Sequence, residues 1–138
     1  MGDPVRTGGC HCGVVRFQVW LLDGLTKPRR CTCSYCRMRG AVAVSANAGD
    51  LHITQGAGTL TLYQFNTHAA RHYFCSVCGI YTHHQRRSNP NQLGINVACL
   101  DGVSPFDFAK VLVWDGVNHP TDTLGGSAVA GTLRFTPA

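Results

Sequence analysis

Three thiols crowd into six residues at Cys31-Thr32-Cys33-Ser34-Tyr35-Cys36, with Arg37 directly after the last. Thiols at that spacing can share one soft metal ion. The other cysteines divide in the same way: Cys10 and Cys12 form C-x-C, Cys75 and Cys78 form C-x-x-C, and Cys99 stands alone. A C-x-x-C turn holds two sulfurs on one side of a tight knuckle, and a second pair completes a tetrahedron about Zn²⁺. Cys10, Cys12, Cys75 and Cys78 supply such a set, which would clip the start of the chain to its middle and add folding free energy. Gly9, Gly13 and Gly79 suit the positive φ values that close turns need. An iron–sulfur cluster is the rival occupant of four thiolates. Four unrelated buried thiols would be the plainer explanation, but their pairing at metal-ligand spacing argues against it.

Cys31, Cys33 and Cys36 leave one zinc position to fill, and its occupant decides what the site does. A protein ligand there would make the metal structural; an exchangeable ligand would allow chemistry. Cys99 could close the position, as could a histidine such as His83, His84 or His11. Alternation along Gln92 to Leu100 instead puts Cys99 on a core face with Leu93, Ile95 and Val97. Three thiolates make zinc a poor Lewis acid for activating water and a good one for exchanging an outside sulfur ligand. The natural reactions are addition of a substrate thiol to an aldehyde and the reverse cleavage of a carbon–sulfur bond. Arg37, Arg86 and Arg87 could balance the thiolates or clamp carboxylates of a peptide-like thiol; a solvated surface role is the plainer alternative for the last two.

These knuckles need strands to hold them. Val15, Phe17, Val19 and Leu21 alternate with Arg16 and Gln18, which predicts a strand from Val14 to Leu22. A loop at Asp23-Gly24 and Lys27-Pro28 then leads to the three-thiol segment, which reads as a knuckle running into one helical turn through Met38. Gly40 to Gly49 reads as a short strand ending in a turn at Gly49-Asp50. Leu51 to Gln55 and Leu60 to Phe65 read as a hairpin through Gly56-Ala57-Gly58. Arg71 to Phe74 delivers the chain to Cys75, and further strands are predicted over Ile80 to Gln85, Gln92 to Leu100, Val111 to Trp114 and Thr132 to Phe135. Arg86 to Asn91 forms a polar loop, and turn signals multiply beyond Asp101-Gly102, at Ser104-Pro105, Asp115-Gly116, His119-Pro120 and Gly125-Gly126. The expected class is all-β: packed antiparallel sheets in a single domain over residues 1–138, with 116–138 the least readable part.

A chain of 138 residues with 16 glycines and few charges can bury a real core without staples. No apolar run approaches the roughly 20 residues needed to cross a bilayer, and Met1 to Arg6 leads into glycines rather than a signal core. The expectation is a soluble cytoplasmic protein with no membrane partner, where a reducing compartment disfavours eight thiols as a disulfide framework and favours metal binding or redox chemistry. The formal charge of +5 is a weak pointer to nucleic acid. Seven bound thiolates subtract seven charges and two Zn²⁺ restore four, which leaves +2.

The segments Gly9-Cys10-His11-Cys12-Gly13 with Val15 and Phe17, Cys31-x-Cys33-x-x-Cys36-Arg37, Phe74-Cys75-x-x-Cys78-Gly79 and Asn96-Val97 resemble, in this order, the glutathione-dependent formaldehyde-activating enzyme family, which includes centromere protein V. The resemblance spans about Gly9 to Asp101 and departs at Thr32, where many members carry histidine, and at Met38, where lysine is frequent. It implies a β-tent fold, a structural zinc on Cys10, Cys12, Cys75 and Cys78, a second zinc on Cys31, Cys33 and Cys36, and carbon–sulfur lyase activity on a glutathione–formaldehyde adduct. Two other functions compete. One is a protein- or nucleic-acid-binding module with both zincs structural, which requires a closed second site. The other is a thiol redox enzyme, akin to a methionine sulfoxide reductase, with Cys99 as nucleophile.

Overall fold

The computed structural model describes residues 5–117 and 128–138. The expected turns at His119-Pro120 and Gly125-Gly126 lie outside them. Strands β1 (Arg6–Gly9) and β2 (Arg16–Leu21) form an antiparallel hairpin, Gly9 opposite Arg16. In β2 the expected alternation holds: Phe17, Val19 and Leu21 are buried, while Gln18 and Trp20 face out. Then follow β3 (Arg29–Cys31), helix α1 (Ser34–Arg39), β4 (Ala43–Gln55), β5 (Leu60–Tyr63), β6 (Arg71–Cys75), β7 (Tyr81–Gln85), β8 (Gln92–Asn96), β9 (Lys110–Trp114) and β10 (Val129–Arg134). All ten strands belong to one sheet, ordered β10-β9-β3-β4-β8-β7-β6-β5, with the β1–β2 hairpin joined through β2 to β4. The chain is therefore all-β, with one six-residue helix among the described residues. No described helix is long and apolar enough to cross a membrane.

Three expectations need correction. The first is the break at Gly49-Asp50, because β4 runs unbroken from Ala43 to Gln55. Between the pairs Leu21 with Ala46 and Val19 with Leu51, β4 advances further than β2, so the turn-prone residues are absorbed as a bulge. The bulge lets one strand serve two neighbours: Ala43 to Asn47 pairs with β8, and Leu51 to Gln55 with β2. Second, the hairpin between Leu51 to Gln55 and Leu60 to Phe65 does not form. β2 already satisfies that end of β4, and a 3₁₀ turn at Ala57–Thr59 carries β5 away to pair with β6. Third, β8 stops at Asn96, and Cys99 ends a 3₁₀ turn at Val97–Cys99. Cys99 still joins the main core, together with Phe17, Val19, Val44, Ile95 and Val97. Each such buried side chain contributes about 1.5–3 kcal/mol by leaving water.

β3 positions the chemistry and was not expected as a strand. It pairs in parallel with β9, Cys31 beside Trp114, and touches β4 through Arg29 and Ala43. A three-residue interior strand thus hands the three-thiol segment to α1.

Candidate functional site

Cys10 and Cys12 sit in the β1–β2 turn, while Cys75 and Cys78 flank the β6–β7 turn. The four sulfurs gather within 4.8 Å of one another. Cys10 and Cys12 lie 3.6 Å apart and Cys12 and Cys75 lie 3.8 Å apart. Four thiolates at about 2.3 Å from Zn²⁺ stand about 3.8 Å from each other, so the set fits one tetrahedral ion. All eight cysteines are free of disulfides. The backbone N–H of Val15 donates to Cys10 Sγ at 3.4 Å, and that of Val77 to Cys75 Sγ at 3.4 Å. N–H groups of Cys12 and Ile80 pull the Cys78 thiol down to about 6. Gly13 (φ +83°) and Gly79 (φ +78°) end the two knuckles in left-handed backbone. Gly9 serves differently: a Cβ there would stand 2.4 Å from the Val15 carbonyl oxygen, so it permits close approach rather than a positive φ.

The second cluster is built from one short segment. Cys31 ends β3, Cys33 caps α1, and Cys36 lies in its first turn; their sulfurs also fall within 4.8 Å of one another. Cys33 Sγ accepts from the Cys36 N–H at 3.3 Å, and Cys31 Sγ from the Cys33 N–H at 3.4 Å. Cys33 takes hydrogen bonds from the Cys31 and Cys36 thiols, which hold it down to about 2, while Cys36 is pushed up by giving to Cys31 and Cys33. Three sulfurs gathered this closely form a donor set suited to a soft cation. Arg39 Nη2 donates to Cys36 Sγ at 3.3 Å. Behind the cluster the Gly116 N–H donates to Thr32 Oγ1 at 3.0 Å, and a Cβ on Gly116 would lie 2.2 Å from Cys31 Sγ. The residues after β9 therefore back directly onto the three-thiol segment.

Among the described residues no fourth His, Cys, Asp or Glu joins these three sulfurs. His83 Nδ1 is bound to Thr82 Oγ1 at 2.9 Å, and His84 Nδ1 to the Tyr81 hydroxyl at 2.5 Å. Cys99, 6% exposed, donates to the Tyr81 carbonyl at 3.4 Å, and burial pushes its thiol up to about 12. Such a thiol is a poor nucleophile, which argues against the redox reading.

Instead the three sulfurs form one wall of a cavity of about 540 Å³. Arg29, Arg30, Arg39, Arg86 and Arg87 line it, with His72, His84 and Trp114, and no acidic residue does among the described residues. Arg29 and Arg86 both donate to Ser45 Oγ, at 2.8 and 2.9 Å. Two guanidinium groups thus share a hydroxyl in a wall to which the described residues bring no carboxylate. Of the arginines singled out from sequence, Arg86 and Arg87 reach the cavity, whereas Arg37 is exposed on α1 and does not line it. Arg39 and Arg29 take its place. Arg39 could have been found from the helical i, i+3 spacing to Cys36, rather than from adjacency.

The family model described as "Glutathione-dependent formaldehyde-activating enzyme" matches residues 5–112. A Halomonas elongata protein named "Putative glutathione-dependent formaldehyde-activating enzyme" is 36% identical over 81 aligned positions, covering 51% of this chain and 50% of that protein. The match thus spans about half the length of that relative. A crystal structure of a Rhodobacter sphaeroides protein superposes with a TM-score of 0.75 at 57% identity, over 76% of this chain and 96% of its own. With the motif order, the knuckle geometry and a family match over most of its length, the chain belongs to the glutathione-dependent formaldehyde-activating enzyme family.

Proposed function

We propose that the protein joins a small anionic thiol of the glutathione class to formaldehyde, and cleaves the same carbon–sulfur bond in the reverse, lyase direction. The observation that carries this is the meeting of three sulfurs, without a fourth protein ligand among the described residues, and a cavity lined by five arginines. Cys31, Cys33 and Cys36 would hold one zinc and Cys10, Cys12, Cys75 and Cys78 another. When bound at the three-sulfur site, zinc supplies a soft cation that keeps an incoming thiol deprotonated near neutral pH.

The chain's own residues do the rest. Arg29 and Arg86, fixed on Ser45, would receive a carboxylate of the thiol, and Arg87 lies on the same cavity wall. Glutathione carries two carboxylates, and a cavity of about 540 Å³ falls within the range of small-molecule sites. Phe65 and Trp114 add apolar wall that excludes water from the reacting atoms. Arg39, hydrogen-bonded to Cys36 Sγ, would hold the sulfur wall in place.

The binding-module reading requires a protein ligand at the fourth position and has none among the described residues to supply it. The test is adduct formation from glutathione and formaldehyde on zinc-loaded protein, followed by NMR. Acceleration that disappears in Cys36→Ser is expected, and a rate equal to buffer with two zincs bound would contradict the proposal.

A further inference from the structure

His72 sits on β6 at 4% exposure, lines the cavity, and plays no part in holding sulfur. Its Nδ1 lies 3.0 Å from Arg39 Nη1. A guanidinium can only donate, so Nδ1 must accept, and the neutral ring carries its proton on Nε2. Resting on the reading above, we propose that His72 Nε2–H is the donor that receives the aldehyde oxygen as negative charge develops on it.

The ring is held for such a task. It stacks on Phe65 at 5.8 Å and 21° and on His84 at 5.2 Å and 27°, and meets Tyr35 edge-on at 4.7 Å. The same Arg39 that fixes Nδ1 reaches Cys36 Sγ through its other nitrogen, so one guanidinium sets the imidazole against the sulfur wall. Arg39 is itself seated over the Tyr81 ring at 3.7 Å. A donor fixed before reaction costs no reorganisation as the charge forms. Burial, and then the Arg39 charge, keep the ring down at about 4, so it is a neutral donor at neutral pH.

His84, the neighbouring cavity histidine, is not equivalent. The Tyr81 hydroxyl lies 2.5 Å from His84 Nδ1 and 3.3 Å from the Gly94 carbonyl, and it has one proton. Both bonds are served only if His84 Nδ1–H donates to Tyr81 and Tyr81 donates to Gly94. That leaves His84 Nε2 a bare acceptor, so the two rings present opposite tautomers.

The step balances. The thiol has given its proton to solvent; its sulfur pair forms the C–S bond, the C=O π pair moves to oxygen, and the oxygen takes a proton from water. His72 keeps its proton throughout and lowers the energy of the charged oxygen in both directions.

The test compares zinc-loaded wild type, His72→Phe and His72→Gln. Phenylalanine keeps the stack and removes the donor, whereas glutamine offers one acceptor to Arg39 and one donor to the cavity. His72→Phe should turn over about 10²-fold more slowly at saturating glutathione, with two zincs per chain and glutathione affinity within about threefold of wild type. His72→Gln should recover most of that loss. The ¹⁵N spectrum of wild-type His72 should show the proton on Nε2. A His72→Phe rate within about threefold of wild type, or a proton on Nδ1, would overturn the role of His72 alone. Wild-type protein that binds zinc and glutathione but gives no rate above buffer would overturn the parent reading, and the role of His72 with it.

Discussion

The two cysteine clusters use the same ligand chemistry to opposite ends. Cys12 and Cys75 are 63 positions apart, and a metal held by their four-sulfur set would tie the β1–β2 turn to the β6–β7 turn. Cys33 and Cys36 are three positions apart and tie little that α1 does not already hold. A long loop closed by a metal gains much more from closure than a short one. The four-sulfur knuckle is thus placed to stabilise the fold. The three-sulfur cluster faces an arginine-lined cavity, with no fourth ligand among the described residues, the placement that the proposed thiol chemistry requires. The position of a thiol cluster relative to chain connectivity and charge, and not thiol count alone, separates scaffold from chemistry.

Breaking the first cluster should have the largest effect. Cys75→Ser leaves a fully buried hydroxyl in place of a ligand and should abolish the cooperative melt or the soluble fold, since structural zinc sites contribute on the order of 10 kcal/mol. Circular dichroism and metal content measure this. Cys36→Ser should lose one metal, keep the cooperative melt, and lose activity by about 10³-fold or more, read as zinc per chain beside the adduct rate.

Acid should separate metal loss from loss of the sheet. Burial holds His83 at about 4, well below its unfolded value, so its neutral form stabilises the fold fully above about pH 6.5. That stability, on the order of a few kcal/mol, is lost as pH falls through 4, because the unfolded chain binds the proton first. In His83→Gln, melting temperature should fall less steeply between pH 6.5 and 4, with both metals bound alike at neutral pH.

The smallest effects should sort the arginines. Arg86→Ala removes a charged donor from the cavity wall and should weaken glutathione binding by about 10- to 100-fold by calorimetry, leaving zinc content alone. Arg37→Ala, on the exposed face of α1, should leave affinity within about twofold.

The clusters were legible because thiol spacing is a local property that only a few geometries satisfy, and Phe17, Val19 and Leu21 because a half-buried strand must alternate. β3 was not, because three residues with two arginines carry no periodicity, and what makes them a strand is a parallel partner at Leu112 to Trp114. Gly49-Asp50 looked like a turn because a bulge and a turn draw on the same residues. Gly116 carried a turn signal, but its closeness to Cys31 depends on that same β3–β9 pairing. Arg39 and His72 could be joined only once helix and sheet had brought them together.

The central claim is that the fourth position at Cys31, Cys33 and Cys36 accepts a sulfur from outside. Zinc K-edge X-ray absorption on protein carrying two zincs measures it directly. Before glutathione, four sulfurs on one ion and three on the other should leave one lighter ligand shared over the pair. Glutathione should replace that ligand with sulfur, whereas a sulfur count unchanged by saturating glutathione would contradict the account.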